Sequence, residues 1–153
     1  MKPFATVSSA LPPMDNPDPS ALSKVPLFAG LTDDELARTA EWLEVDEYEP
    51  GRLLTRTNQA GYTFFILETG RAHAELHGKV LGVYEPGSVF GEMAFFDPRG
   101  RRWADVVCDS PVRVFSMFGT HFREMQQCMP EVAARLQRLF EERAARHAAL
   151  GHA

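Results

Sequence analysis

Cysteine is scarce in this chain: Cys108 and Cys128 are the two thiols in 153 residues, and neither has a second at the spacing of a zinc site or a redox pair. Both are expected to be free, semi-buried, small apolar side chains in a reducing compartment. Long apolar runs are lacking too. No stretch approaches the roughly twenty residues that cross a bilayer, and Met1 to Leu11 lacks the basic start and continuous apolar core of a secretion signal. A cytoplasmic protein with no membrane attachment is therefore expected. Basic residues do not predominate, with 16 Lys and Arg against 21 Asp and Glu, and the net charge of −5 argues against a general affinity for nucleic acid. There are no internal repeats. Asp97, Asp105 and Asp109 have no nucleophile partner, no Ser/His/Asp or Cys/His arrangement can be assembled, and no enzymatic activity is expected.

What remains is the profile of one ordinary domain, with 44% hydrophobic residues, enough for a core. Residues 1–20 carry Pro3, Pro12, Pro13, Pro17 and Pro19 among Ser and Asp, a composition expected to leave a disordered arm. The domain occupies residues 21–150. Thr32-Asp33-Asp34-Glu35 is a capping box, and Leu36, Ala40 and Leu43 follow it at helical spacing, which predicts a short N-terminal helix. From Val45 to Phe118, short apolar alternations are broken every eight to twelve residues by Pro50-Gly51, Asn58, Gly61, Gly70, His77-Gly78, Pro86-Gly87 and Ser110-Pro111, predicting an antiparallel sandwich or barrel. Strands are expected at Glu44–Tyr48, Arg52–Thr55, Tyr62–Glu68, Arg71–Leu76, Lys79–Tyr84, Ala104–Asp109 and Val112–Met117, with a tight hairpin at His77-Gly78. Phe122 and Met125 mark a short helical piece. Pro130 then opens a longer helix with Val132, Leu136, Leu139 and Phe140 on one face and Gly151 as its stop.

The most informative run is Phe90-Gly91-Glu92-Met93-Ala94, followed by the arginines Arg99, Arg101 and Arg102. A glycine lets backbone N–H groups approach an anion, and an arginine supplies a planar, permanent charge to neutralise it. Glu92 would repel a phosphate, so it makes sense there only as an acceptor for another part of the ligand, such as a ribose hydroxyl. A nucleotide with a single phosphodiester charge and a free 2′-OH meets both demands.

Val89 to Ala94, the arginines and Ala104-Asp105-Val106-Val107 resemble the phosphate-binding cassette of the cyclic nucleotide-binding domain family. Val25-Pro26-Leu27-Phe28-Ala29-Gly30-Leu31 and Tyr84-Glu85-Pro86-Gly87 resemble the family's entry segment and the turn before its cassette. The resemblance implies a mainly β fold with flanking helices, an antiparallel β-roll or jelly roll (double-stranded β-helix) with a short N-terminal helix and a C-terminal lid helix. It implies cAMP or cGMP as ligand and no cofactor. By the same resemblance Gly91 and Ala94 offer backbone N–H groups to the phosphate, Glu92 holds the 2′-OH and one arginine pairs with the phosphate. Phe90, Met93 and the residue after that arginine complete the set.

Two anchorings of the arginine are open. Counting from the strand at Ala104 selects Arg102 and places Trp103 where the family has a small residue; counting from Phe96-Asp97 selects Arg101. Arg102 is favoured, because a one-residue slip of a strand would turn its whole inward set outward. Trp103 then either stacks on the base or fills the pocket. Thr57-Asn58-Gln59 stands where the family commonly has Glu-Gly-Asp, and Asn58 tolerates the left-handed turn this needs. No acidic side chain can be assigned to brace the cassette arginine.

The expected function is a cyclic nucleotide sensor that signals through its C-terminal helix to an unidentified effector protein, with homodimerisation through that helix as a further role. No direct nucleic-acid binding is expected, since the chain ends soon after the lid helix. The alternative is a degenerate fold acting as an interaction or dimerisation module. A metal-dependent, cupin-like enzyme is a third reading, raised by His73, Glu75, His77 and His121 but lacking the paired-histidine motif; no metal is expected.

Overall fold

The computed structural model describes residues 15–149, in which eight strands form two four-stranded antiparallel sheets. In chain order the strands are β1 (Glu44–Tyr48), β2 (Leu53–Thr55), β3 (Thr63–Thr69), β4 (Ala72–Leu76), β5 (Lys79–Tyr84), β6 (Val89–Phe90), β7 (Asp105–Cys108) and β8 (Val112–Phe118). One sheet runs β1-β8-β3-β6 and the other β2-β7-β4-β5, which together make the mainly β roll that the sequence implies. Helices α1 (Pro19–Leu22), α2 (Asp33–Glu41), α3 (Met93–Phe96), α4 (Gly119–Cys128) and α5 (Pro130–Ala149) flank it, with a 3-10 turn at Pro26–Phe28.

Strand periodicity divides the apolar side chains between two cores. On β3, Phe64 and Ile66 join Phe115 and Met117 of β8 against the helices, where Leu22, Phe28, Leu36, Leu43, Phe122, Met125 and Leu136 pack. Phe65 and Leu67 point the other way, into the roll, with Ala72, Ala74, Phe90, Val106, Val112 and Val114. A fully buried Phe or Leu contributes about 1.5–3 kcal/mol of transfer free energy, so strands apolar on both faces hold the two layers together.

Local chemistry fixes the connections. Thr32 Oγ1 accepts from Glu35 N–H and the Glu35 carboxylate accepts from Thr32 N–H, closing the predicted capping box. His77 (φ 52°) and Gly78 (φ 79°) are both left-handed, the requirement of a two-residue hairpin turn between β4 and β5. Asn58 is left-handed as well (φ 69°), and Asp105 of β7 braces its turn by accepting from Thr57 N–H (2.7 Å) and Thr57 Oγ1 (3.0 Å). Arg135 of α5 donates to the carbonyls of Leu27 (2.9 Å) and Ala29 (2.8 Å), tying the start of that helix to the 3-10 turn.

Three expectations need correction. The arm is ordered from Asp15 onward: Val45 N–H donates to the Asp15 carbonyl (2.9 Å), Asn16 Nδ2 donates to the Leu43 carbonyl (2.8 Å), Pro17 is buried and Asp18 caps α1. The Val45 N–H and the Asn16 side chain supply donors that the prolines lack; residues 1–14 lie outside the described residues, as does Gly151. Cys108 is buried but Cys128 is exposed, and both are free. Val89–Phe90 pairs with β3 as a short strand that the turn signal of Pro86-Gly87 conceals. Among the described residues no helix is long and apolar enough to cross a membrane.

Candidate functional site

A cavity of about 290 Å³ opens between β4, β5, α3, the loop before β7 and the last turns of α5, near the lower end of the roughly 300–1,000 Å³ usual for small-molecule sites. Its walls are Thr55, Ala74, Leu81 and Val106 from the roll, and Gly91, Glu92, Met93, Ala94, Arg102 and Trp103 from the segment singled out above. Arg143, Arg146 and His147 of α5 close it from the other side. Three guanidinium groups therefore border the hollow against one carboxylate, a local excess of positive charge in a chain of net charge −5.

Arg102 is 8% exposed and turned inward. Its Nη1 donates to the carbonyls of Thr63 (2.8 Å) and Gly91 (2.8 Å), its Nη2 donates to Thr63 Oγ1 (3.2 Å), and its guanidinium lies 5.8 Å from the Phe65 ring centroid. Burial lowers it to about 10, which leaves it charged at neutral pH. Backbone carbonyls and a hydroxyl supply the bracing for which no acidic residue could be named, and Nε lies against Gly61. Arg101 points away: its side chain is exposed, donates to the Asn58 carbonyl (3.0 Å) and does not border the cavity.

Gly91 adopts φ +84°, and a Cβ there would lie 2.9 Å from Arg102 Nη1. The chain then enters α3, whose first N–H groups, at Met93 and Ala94, have no intrahelical acceptor. Phe90 is fully buried and stacked between Phe65 (5.2 Å) and Tyr84 (5.0 Å), so it supports the cassette from below and does not line the cavity. Gly61 is equally constrained: a Cβ there would come within 2.6 Å of Arg102 Nε and 2.7 Å of Ala94 Cβ. Gly61→Ala should displace the Arg102 guanidinium. A tenfold or greater loss of anion affinity is expected, roughly 1.4 kcal/mol, read by titration calorimetry.

Glu92 is 0% exposed. Its Oε1 accepts from Arg143 Nη1 at 2.8 Å, while Oε2 is buried without a partner among the described residues. Burial pushes its carboxyl up and the nearby Arg143 charge pulls it back, the first effect being the larger. Arg143 also lies over the Tyr84 ring at 5.4 Å.

Trp103 borders the cavity without closing it. Its Nε1 donates to Asp97 Oδ1 (3.2 Å), and its ring meets Phe140 (5.7 Å) and His147 (4.9 Å) of α5. Asp97 is held below the usual carboxylate range chiefly by the Arg101 N–H, aided by Trp103 and the Arg99 N–H, so one carboxylate orders the whole arginine loop. Of the apolar face expected on this helix, Phe140 reaches Trp103, but Leu136 and Leu139 turn into the helical core. Arg143, Arg146, His147 and Tyr84 were not anticipated. The spacing of Phe140, Arg143 and His147 at i, i+3 and i+7 is the signal that marks them as one helix face.

Among the described residues the histidines do not gather into a metal site. His73 lies between two carboxylates, its Nε2 2.6 Å from Glu75 Oε2 and its Nδ1 2.8 Å from Asp109 Oδ1, so they sit at opposite ring nitrogens and cannot chelate one ion with it. The Glu75 hydrogen bond and Asp109 raise its pKa, favouring the imidazolium, and no cluster of three possible metal ligands occurs among the described residues.

The family model for the cyclic nucleotide-binding domain matches residues 45–127, more than half of the chain. A cAMP-dependent protein kinase regulatory subunit of Colletotrichum orbiculare is 33% identical over 106 residues, covering 68% of this chain and 27% of that protein. Glutaminase 1 of Bradyrhizobium diazoefficiens is 29% identical over 126 residues, 82% of this chain and 20% of that one. The chain spans about a quarter of the length of the kinase regulatory subunits it matches. Among solved structures, cAMP-bound PfPKA-R (141–441) superposes with a TM-score of 0.78 at 26% identity, covering 87% of this chain and 46% of that one. The PKAR CBD2 domain bound to Sp-2Cl-cAMPS gives 0.76 at 26% identity, with 86% and 87% covered. With its β-roll, its Gly91–Ala94 cassette and this match across most of the roll, the chain belongs to the cyclic nucleotide-binding domain family.

Proposed function

We propose that this chain is a sensor for cAMP or cGMP, and that one observation carries the reading: Arg102 and Glu92, both buried, face a single cavity whose wall between them is Gly91 to Ala94. The phosphate would sit against the Arg102 guanidinium and the N–H groups of Gly91 and Ala94, with Met93 and Trp103 beside it. The ribose 2′-OH would donate to Glu92 Oε2, the oxygen Arg143 leaves open. Phe90 and Arg101 take supporting places. No catalysis is required; the nucleotide is a ligand and not a cofactor.

Helix α5 acts as the lid and the output. Its Phe140, Arg143 and His147 meet the cassette directly, so a ligand with unequal affinity for lid-in and lid-out forms shifts their populations. The receiver is an unidentified effector protein in the cytoplasm, with no direct contact to nucleic acid or membrane. Exposed positions of α5 include Glu131, Gln137, Arg138, Glu141 and Glu142, a charged face that favours the lid role over homodimerisation through this helix.

The lid also rests on the chain's own Trp103 and Glu92, which favours a second reading in which the fold serves as an interaction module without ligand. Calorimetry with cAMP and cGMP separates them. Micromolar or tighter binding of either is the expected result, on the order of −8 kcal/mol; no binding of either below about 1 mM would leave the module reading standing.

A further inference from the structure

A second hollow, of about 520 Å³, lies behind the cassette and is lined by Gly61, Tyr62, Ala94, Phe95, Phe118 and Arg123, with the first residues of α4 at one end. Its rim is unusual for this molecule. Tyr62 is 72% exposed and Phe118 41%, two solvent-reached aromatic residues that border one groove. Isolated exposed apolar residues are ordinary, but two aromatics bordering a concavity mark a surface that something covers.

The charge of the groove indicates what. Arg123 borders it with no hydrogen bond or ion pair among the described residues, its Nη1 lying 4.0 Å from where a Cβ on Gly119 would stand. The first turn of α4 carries no acidic residue and no side-chain cap, so its amide dipoles add to the same sign. An aromatic-walled groove with an uncompensated cation at its edge is complementary to an aromatic or aliphatic side chain flanked by carboxylates.

The geometry points to this groove as the docking site for an acidic segment of a partner protein, anchored by an apolar side chain between Tyr62 and Phe118 with its carboxylate on Arg123. The surface is distinct from the nucleotide cavity, and the inference does not rest on nucleotide binding. The two hollows nonetheless share Ala94 as a wall, so an occupant of one adjoins the other.

The test uses two capped tripeptides, one with phenylalanine between two glutamates and one with phenylalanine between two lysines, titrated into the isotopically labelled chain. Saturable shifts at the amides of Tyr62, Phe118, Gly119 and Thr120 are expected with the acidic peptide, at least fivefold tighter than with the basic one. Arg123→Glu should reverse that preference, and Tyr62→Ser should weaken both; each residue is exposed, so neither change is expected to unfold the chain, which the unchanged spectrum of β3 and β8 verifies. Equal affinity for the two peptides, shifts confined to the Gly91 region, or no saturable shift would overturn the proposal. So would groove shifts that track protein concentration together with a dimer in sedimentation, since the occupant would then be a second copy.

Discussion

Arg102→Ala should weaken cAMP or cGMP binding by about 2–4 kcal/mol, a factor of roughly 30 to 1,000, in calorimetric titration. A buried guanidinium facing a phosphate makes a charge-assisted pair, and truncating one member of such a pair leaves the other desolvated without compensation. The same substitution should lower the stability of the unliganded chain. The half-buried carbonyls of Thr63 and Gly91 lose their donor, and since a fully buried acceptor left unpaired costs about 1–3 kcal/mol, the lower end of that range is expected for each. Arg102→Lys separates the two effects, since an ammonium keeps the charge but lacks the planar fork that spans both carbonyls and an anion. Arg101→Ala, at an exposed position, should leave affinity within about twofold, roughly 0.4 kcal/mol. If instead Arg101→Ala removed binding and Arg102→Ala did not, the assignment of the phosphate arginine would be reversed.

Arg143→Ala should cost about 3–5 kcal/mol of stability at neutral pH, because it strands the Glu92 carboxylate at 0% exposure without its ion pair. The pH dependence carries a distinct sign. Burial already holds the folded-state pKa of Glu92 above its ordinary value, so its favourable contribution is present at acidic pH and is lost as pH rises through the folded pKa. Without Arg143 the carboxyl loses the interaction that pulls it down, its folded pKa rises further, and the loss at neutral pH deepens. Melting temperature should therefore fall more steeply from pH 5 to pH 8 in Arg143→Ala than in the parent, and Glu92→Gln combined with Arg143→Ala should flatten the profile. A parallel shift of both curves at every pH would show that Arg143 acts through packing on Tyr84 and not through Glu92.

The capping box at Thr32, the hairpin at His77-Gly78 and the alternation of β4 were legible because each is a local rule satisfied by adjacent residues. The cassette was legible for a related reason, a glycine, a carboxylate and an arginine within a dozen positions. Register sets how the two arginines point: Thr55 Oγ1 donates to the Ala104 carbonyl and Arg102 N–H to the Gln59 carbonyl, which fixes the loop so that Arg102 turns in and Arg101 out. What the sequence concealed is long-range. Nothing local says that Arg143 meets Glu92 across 51 positions, or that Asp97 would use Trp103 and two backbone amides to order its loop. The ordering of Asp15 to Ser20 was hidden likewise, since proline-rich composition does not report a carbonyl finding the edge of β1.

The fastening of α5 at Arg135 has a mechanical corollary. Two carbonyls grip the helix near its beginning, whereas its far end meets Trp103 and Glu92, so a pivot about Arg135 is the motion the proposed lid role would use. With a rise of 1.5 Å per residue, a tilt of roughly 10° about Arg135 would carry Ala149 about 4 Å. The same tilt would move Arg143, about 12 Å from the pivot, by about 2 Å beside Glu92, so a displacement at the cassette would reach the tail nearly doubled.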